Sequence, residues 1–418
     1  MPDTVFDELE TRDPELRERQ QFNALVEQIA GAKKNAPAFA DLLADVDPYA
    51  VTSRAALAKL PVLRKSELMT RQKEGPDTHR PFGGLTALRT GRLARVFVSP
   101  GPIYDPEGRR DDWWRFARAL HAAGFRRGDI IQNCFSYHFT PAGMMLESGA
   151  HAIGCAVIPA GVGNTEQQVR TIVDVRPIGY VGTPSFLKII LDKGKELGSD
   201  LSSLKRTLVS GEALPAALRA ELSGRGVEVR QCYATADLGL IGYESVPDAG
   251  LIIDEWVIVE ILRPGTGDPV DAGEVGEVVV TNLSPEYPLI RFATGDLSML
   301  IPGTSDCGRT NARLKGWMGR ADQTTKVRGM FVHPSQVADI ARRHAAIVKC
   351  RVVVDRDGSN DSMVFKLEVA SGDRSDALAG AIGESIQTIA KLRGSVTFVD
   401  PGSLPNDGKV IEDLRKLE

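Results

Sequence analysis

Between Gly319 and Gly329 the chain reads Gly-Arg-Ala-Asp-Gln-Thr-Thr-Lys-Val-Arg-Gly, so two glycines bracket three cations and one carboxylate. No helix or strand interior is built this way. Glycine admits backbone angles closed to other residues, and the charges must stay solvated or meet an anion. Two readings follow: an exposed hairpin, or a hinge. Elsewhere, Asp296 ends the apolar run Pro288–Asp296, where a carboxylate can accept hydrogen bonds from a ligand or start a turn. Gly211 and Glu212 fall between a strand pattern and a helix pattern, the place where α/β sheets hold ligands. Lys409 follows Gly408 near the C-terminus and on its own is a solvated tail lysine; Tyr233 on its own reads equally as a core aromatic.

The elements that must position these residues show two textures. Glu15 to Leu43 reads as an amphipathic helix with Phe22, Leu25, Val26 and Ile29 on one face, after a start signal at Asp13-Pro14. A proline-marked connector, Leu60 to Leu68, follows, with Ser66 placed to cap the next helix. From Val96 to Pro184 short apolar runs (Asp129–Asn133, Ala156–Pro159, Gly179–Gly182) alternate with helical patterns. That alternation predicts a largely parallel sheet covered by helices. Leu208–Glu212 extends it as a strand ending in a glycine turn, before a helix over Pro215–Leu222. From Leu251 to Leu300, runs such as Val257–Leu262 and Glu277–Thr281 separated by Pro/Gly/Asp turns predict antiparallel β structure. After Gly319 comes a small α/β tail: helix 334–344, strands 350–355 and 363–369, helix 374–392 and strand 396–399.

The bulk properties bound the class. The chain has 418 residues, 42% hydrophobic and 25% charged, ordinary for a globular protein of more than one domain. A net charge of −4 gives no reason to expect nucleic acid or an anionic membrane as partner. Five dispersed cysteines without a CxxC pair point to reduced thiols, and the charged start lacks a signal-peptide pattern. No apolar run approaches membrane-spanning length. These features predict a soluble cytoplasmic protein.

Taken in order along the chain, the segments resemble the adenylate-forming superfamily of acyl-CoA synthetases, luciferases and peptide-synthetase adenylation domains. Gly319–Gly329 matches its G-R-x-D-x-x-x-K-x-x-G linker. Gly161-Val162-Gly163-Asn164-Thr165-Glu166 resembles the G-G-N-T-E loop of the phenylacetate–CoA ligase branch, and Tyr233-Ala234-Thr235-Ala236-Asp237 its Y-G-x-S-E motif. Pro288–Asp296 resembles the strand ending in a ribose-binding aspartate, and Leu404–Lys409 the loop with the catalytic lysine. The resemblance implies an α/β fold: a large N-terminal body (1–320) of helix-covered mixed sheets with a β-rich subdomain, then a small mobile α+β domain (321–418) hinged near Asp322.

It further implies an AMP-forming ligase that activates an aromatic or arylacetic acid with ATP and passes it to CoA. Lys409 would be catalytic, since a cation between the substrate carboxylate and the α-phosphate offsets their repulsion. Gly211, Glu212, Ala213, Tyr233, Ala234, Thr235, Asp296 and Arg320 would bind nucleotide. Asp237 would reach Mg²⁺ directly or through water, and Phe135, Tyr137, His138, Gly161 and Gly163 would line the acyl pocket; packing is the other reading of Tyr137 and His138. Lys326 and Arg328 would face CoA, and a homodimer is implied. A regulatory acyl-CoA or nucleotide binder, or an enzyme that hands the acyl group to an amine or carrier protein, are the alternatives.

The largest departure is at the phosphate loop. The superfamily usually has S-S-G-T-T-G-K-P, whereas this chain reads Val98-Ser99-Pro100-Gly101-Pro102-Ile103-Tyr104-Asp105-Pro106-Glu107-Gly108-Arg109-Arg110. Prolines remove N–H donors, the lysine is gone, and Asp105 and Glu107 would repel triphosphate. Ser99 and Arg109, beside Arg110, are candidates for phosphate contact; the alternative reading is a loop that no longer binds phosphate. In the stretch Pro302–Thr310, Ser305 stands where relatives often carry a cysteine, so no metal is expected there.

Overall fold

The computed structural model describes residues 4–78, 81–99, 102–264, 267–271, 273–328, 330–357, 360–405 and 409–415. The chain segregates into two compact units, one of residues 1–294 and 299–317, the other of 295–298 and 318–418.

The larger unit is built on the predicted alternation. Strands Ile130–Asn133, Ala156–Pro159, Gly179–Gly182, Arg206–Val209 and Glu228–Thr235 pair in parallel, with helices Ala142–Ala152, Thr165–Val175, Pro184–Glu196 and Ala216–Gly224 between them. Each crossover helix buries an apolar stripe on the sheet; Leu187, Ile190 and Leu191 of one meet Val169 and Ile172 of its neighbour. After Thr235 the sheet turns antiparallel through Gly239–Tyr243, Leu251–Ile253, Arg313–Leu314 and Leu300–Ile301.

Two expectations change in detail. The single helix over 15–43 is two helices, Pro14–Asn35 and Pro37–Leu42. Ala36 between them is extended (φ −121°, ψ 101°), because the ring of Pro37 disfavours the helical region for the residue before it. The Leu251–Leu300 block is likewise not one antiparallel unit. Its first strand joins the large sheet, while Val257–Leu262, Gly276–Asn282 and Phe292–Ser298 form a second sheet with Leu63–Arg64, which lies parallel to Phe292–Ala293. The side chain of Ser66 is outside the described residues.

That short parallel pairing anchors the connector after Leu60. Arg291, buried at 1% exposure, holds Glu260 with 3.0 and 3.1 Å contacts. It also donates to the carbonyls of Ala58 (2.8 Å), Leu60 (2.5 Å) and Gly267 (3.1 Å). Its own carbonyl accepts from Leu63 N at 2.9 Å. One buried guanidinium therefore fixes where the next residues, Arg64 and Lys65, emerge.

In the smaller unit, strands Ser395–Val399, Asn360–Glu368, Lys349–Asp357 and Ile411–Asp413 form a four-stranded sheet. Helices Pro334–Arg342 and Asp376–Ala390 cover a core that includes Val352, Phe365, Ile382 and Ile386. Strand Ile411–Asp413 is too short to leave a pattern in sequence, yet it pairs with Val352–Val354. The Gly319–Gly329 segment opens with a 3-10 turn over Ala321–Gln323, and Thr325–Val327 pairs with Met330–Val332 as a hairpin. Gly295–Ser298 joins this unit through Leu297 N to Gly319 O (2.8 Å) and Met318 N to Leu297 O (2.9 Å). Gly319 has φ +122°, and a Cβ there would lie 2.8 Å from Pro334, so only glycine fits. Among the described residues no helix is long and apolar enough to cross a membrane.

Arg291→Met leaves Glu260 buried without its partner and releases the connector. Chemical denaturation of the variant is expected to show a loss of roughly 3–5 kcal/mol; a change near zero would show that the clamp does not carry stability.

Candidate active site

The candidate residues of the larger unit gather at the carboxyl ends of the parallel strands, where such sheets bind ligands. Gly211 follows Arg206–Val209 with φ +83°, and a Cβ there would be 3.6 Å from the Thr183 methyl and 3.7 Å from the Phe135 ring. Phe135, from just past strand Ile130–Asn133, two strands away across Gly179–Gly182, thus lies against the Gly211 turn. Asn133 organises this edge: its side chain accepts from Phe135 N (3.1 Å) and donates to Gly143 O (2.8 Å) and Tyr137 Oη (2.9 Å). Tyr137 then donates to Glu147 at 2.8 Å. Burial first, then the Glu147 carboxylate, raises the Tyr137 phenol well above its ordinary value, so the ring stays neutral. The Gly161–Gly163 turn is held from beneath by Gln168, which donates to the carbonyls of Gly161 (3.0 Å) and Gly163 (3.3 Å). His138 is exposed, outside this packed cluster.

Glu212 accepts from Ser185 N at 2.7 Å and so caps the helix that follows Thr183, while Ala213 is exposed. Tyr233 is half-buried, with its hydroxyl donating to Thr294 Oγ1 at 3.1 Å. Its ring packs against the core, and its strand runs to the carboxyl edge of the sheet. The register slips between Tyr233 and Ala234, a bulge of the kind that re-aims side chains beside sites. Thr235 Oγ1 then accepts from Leu238 N (3.1 Å) and closes the turn that carries Asp237.

Asp237 is fully buried, and its Oδ2 accepts from Lys65 Nζ at 2.8 Å. The phosphate-loop segment faces the same cluster. Strands Arg95–Ser99 and Ile103–Glu107 form a hairpin, and the buried Ser99 hydroxyl donates to the buried Asp105 carboxylate at 3.0 Å. Burial, then repulsion from Asp237, pushes the Asp105 carboxyl up to about 8, against the pull of Ser99 and Lys65. At neutral pH Asp105 is mostly the uncharged acid, which removes one of the two carboxylates expected to repel triphosphate. The other, Glu107, pairs with Arg95 at 2.9 Å. Arg109 is exposed. The cation that the structure brings to the cluster is Lys65. The sequence reading passed over Lys65 as connector; the signal was its place just after the strand that Arg291 holds.

The donor set does not suit a directly bound magnesium ion. One Asp237 oxygen is taken by an ammonium, the other is buried without a hydrogen bond, and the residue has no exposure. Mg²⁺ keeps an octahedral oxygen shell that normally includes several waters, which a sealed carboxylate beside Lys65 does not admit. Among the described residues no group of three His, Cys, Asp or Glu side chains is placed to hold a metal. Ser305 instead shares a 3.1 Å hydrogen bond with Cys307, and all five cysteines are unpaired thiols.

In the smaller unit, Asp296 and Arg320 form an ion pair (3.1 Å) across a local β-bridge. Close approach at Gly295 (φ +74°) permits it, since a Cβ there would be 2.7 Å from the Arg320 guanidinium. Lys409 is exposed, and the next residue, Val410, donates its N–H to Gln323 Oε1 at 2.8 Å. The Lys409 strand end and the Ala321–Gln323 turn are thereby joined. Arg328 (φ +47°) is exposed and donates through Nε to the Asp361 carbonyl at 3.0 Å. The side chains of Asp322 and Lys326 lie outside the described residues, as do Gly101 of the loop and Gly408 before Lys409.

A family model for AMP-binding enzymes matches residues 113–284. The phenylacetate–coenzyme A ligase of Thermus thermophilus is 30% identical over 449 residues, spanning 98% of this chain and 99% of that protein. This chain belongs to the phenylacetate–CoA ligase family. The Escherichia coli phenylacetate–coenzyme A ligase is 28% identical over 99% of this chain and 98% of its own length. The fold also matches a 2-hydroxyisobutyryl-CoA ligase solved in an open conformation with its acyl-AMP and CoA (TM-score 0.85, 22% identity, 97% of this chain and 93% of that one). As a family member the chain is an adenylate-forming CoA ligase, with the two-part architecture of its solved neighbours.

The high Asp105 value sets a pH dependence. Its folded pKa is raised, so the stability it contributes is complete near pH 4 and is lost as pH rises through about 8. Asp105→Asn mimics the uncharged acid. Denaturation curves between pH 5 and 9 are expected to show a decline in wild type that is flattened in the variant; parallel curves would refute the assignment.

Proposed function

We propose that this ligase activates an aromatic or arylacetic carboxylate with ATP and transfers the acyl group from AMP to CoA. The observation that carries the aromatic substrate is the contact of the Phe135 ring with the Gly211 turn, beside a neutral, hydrogen-bonded Tyr137. Rings of this kind complement a flat apolar body, and the relatives' names point the same way.

In the first half-reaction the carboxylate oxygen attacks the α-phosphorus and pyrophosphate leaves. Gly211, Glu212, Ala213 and the Tyr233–Thr235 strand end flank the adenine, and Asp296, oriented by Arg320, accepts from the ribose hydroxyls. Lys409 sits between the two approaching anions and stabilises the charge that develops there. Lys65, held on Asp237, supplies positive charge beside the proline-interrupted loop; an ammonium has three donors, and only one is used on Asp237. In the second half-reaction the smaller unit reorients about Asp322, Lys326 and Arg328 turn toward CoA, and the thiolate attacks the acyl carbonyl and expels AMP. A cytoplasmic homodimer belongs to the same reading, supported by the family resemblance and by five reduced cysteines.

ATP–pyrophosphate exchange over a panel of aromatic acids tests this directly. Acid-dependent exchange is expected, falling by about 100-fold or more in Lys409→Ala; exchange with no acid at all would overturn the reading. Asp322→Pro stiffens the turn, so thioester formation should fall more steeply than exchange. Equal losses in the two half-reactions would remove the hinge from the mechanism.

A further inference from the structure

The smaller unit carries a group of cations that its packing does not use. Arg328 occupies the two-residue turn between the paired residues Val327 and Met330, with φ +47°. Asparagine, aspartate and glycine are the usual choices at such a position. Lys391 caps the C-terminal end of helix Asp376–Ala390 with φ +56°, a left-handed position that glycine takes without steric cost. Arg393 follows two residues later, and the pair flanks the buried Leu392 with both side chains exposed. The hairpin and the helix end meet here. Arg328 Nη1 donates to the Arg393 carbonyl at 3.4 Å, while its Nε bonds the Asp361 carbonyl. Three exposed cations therefore lie around one junction.

Their charge is not offset locally. Asp361 supplies the carboxylate at the junction, and its Oδ2 accepts from Arg415 Nη1 at 2.8 Å and from the backbone N–H of Arg328 at 3.2 Å. The segment 387–397 contains no acidic residue. Among the described residues neither Lys391 nor Arg393 has a partner for its side-chain charge. Two explanations compete. A lysine at a helix C-terminus favours the backbone dipole, which accounts for Lys391 alone. An anion seated at the junction accounts for all three cations, and left-handed non-glycine residues such as 328 and 391 are of the kind that binding sites hold.

We propose that this surface binds a phosphate monoester, the 3′-phosphate of CoA, during acyl transfer. The proposal rests on CoA as the acceptor and on Arg328 turning toward it, and it adds Lys391 and Arg393 to that contact. A guanidinium gives a phosphate two parallel N–H donors and an ammonium adds a compact point charge. At pH 7 a monoester carries a charge of about −1.5 to −2, more than one guanidinium offsets. The diphosphate of CoA is common to many nucleotides, so the monoester is the group by which such a cluster selects this thiol.

Thioester formation with CoA and with dephospho-CoA, which lacks only the 3′-phosphate, tests the proposal in wild type, Lys391→Gly and Arg393→Ala. Lys391→Gly suits the left-handed cap and removes the charge while keeping the fold. Wild type is expected to show a KM about tenfold or more lower for CoA than for dephospho-CoA, the size of one charged contact. Each variant should raise the KM for CoA and leave that for dephospho-CoA in place, narrowing the ratio by roughly threefold or more. Equal KM values in wild type, equal rises for both thiols, or a ratio unaltered in both variants would overturn the inference while leaving CoA as acceptor; the last would leave Lys391 to the helix dipole. No thioester from either thiol would overturn the acyl-transfer reading as well.

Discussion

A carboxylate with no solvent exposure, held by one lysine, governs the candidate phosphate region. Asp237 lies in a turn fixed by Thr235, and Lys65 reaches it from a different part of the chain. Removing either partner from a buried pair strands the other, which is far more costly than losing a surface bridge. Several otherwise unrelated features serve this pair. The Arg291 clamp sets the direction of the connector, the short parallel pairing with Phe292–Ala293 fixes its register, and Asp105 takes up a proton near a second negative charge. A buried site cannot carry two uncompensated carboxylates, and here one is paired while the other is neutral.

This arrangement changes the meaning of the altered loop. From its residues alone the loop is hostile to triphosphate, with two acids, added prolines and no lysine. In the folded protein Asp105 bonds Ser99, Glu107 bonds Arg95, and a lysine from another segment is beside them. The local sequence lost its cation, while the tertiary structure supplies one from elsewhere. In the proposed mechanism Lys65 therefore does for the loop what a loop lysine does in relatives.

Much of the fold was legible because it rests on periodicity. Apolar runs such as Gly179–Gly182 flanked by helical patterns identify a parallel sheet, and the structure puts the Tyr233–Asp237 motif at the end of one of its strands. What was illegible depends on long-range contact. Nothing local to Lys65 announces that it will meet Asp237, and nothing local to Asp105 announces a raised pKa. Strand Ile411–Asp413 has too few residues to show a period, and the Pro37 break was overridden by an otherwise continuous helical face. In the Gly319–Gly329 segment the hairpin reading is visible in the pairing of Thr325–Val327 with Met330–Val332, and the turn before it is tied to the Lys409 segment through Gln323.

The most direct test of the Lys65–Asp237 account is a double-mutant cycle read in the KM for ATP, using Lys65→Met, Asp237→Asn and the pair together. The account predicts that Lys65→Met alone raises KM by about tenfold or more, because a bare buried carboxylate then faces the phosphates, and that adding Asp237→Asn recovers part of the loss. Additive effects, or a KM unchanged in Lys65→Met, would contradict it.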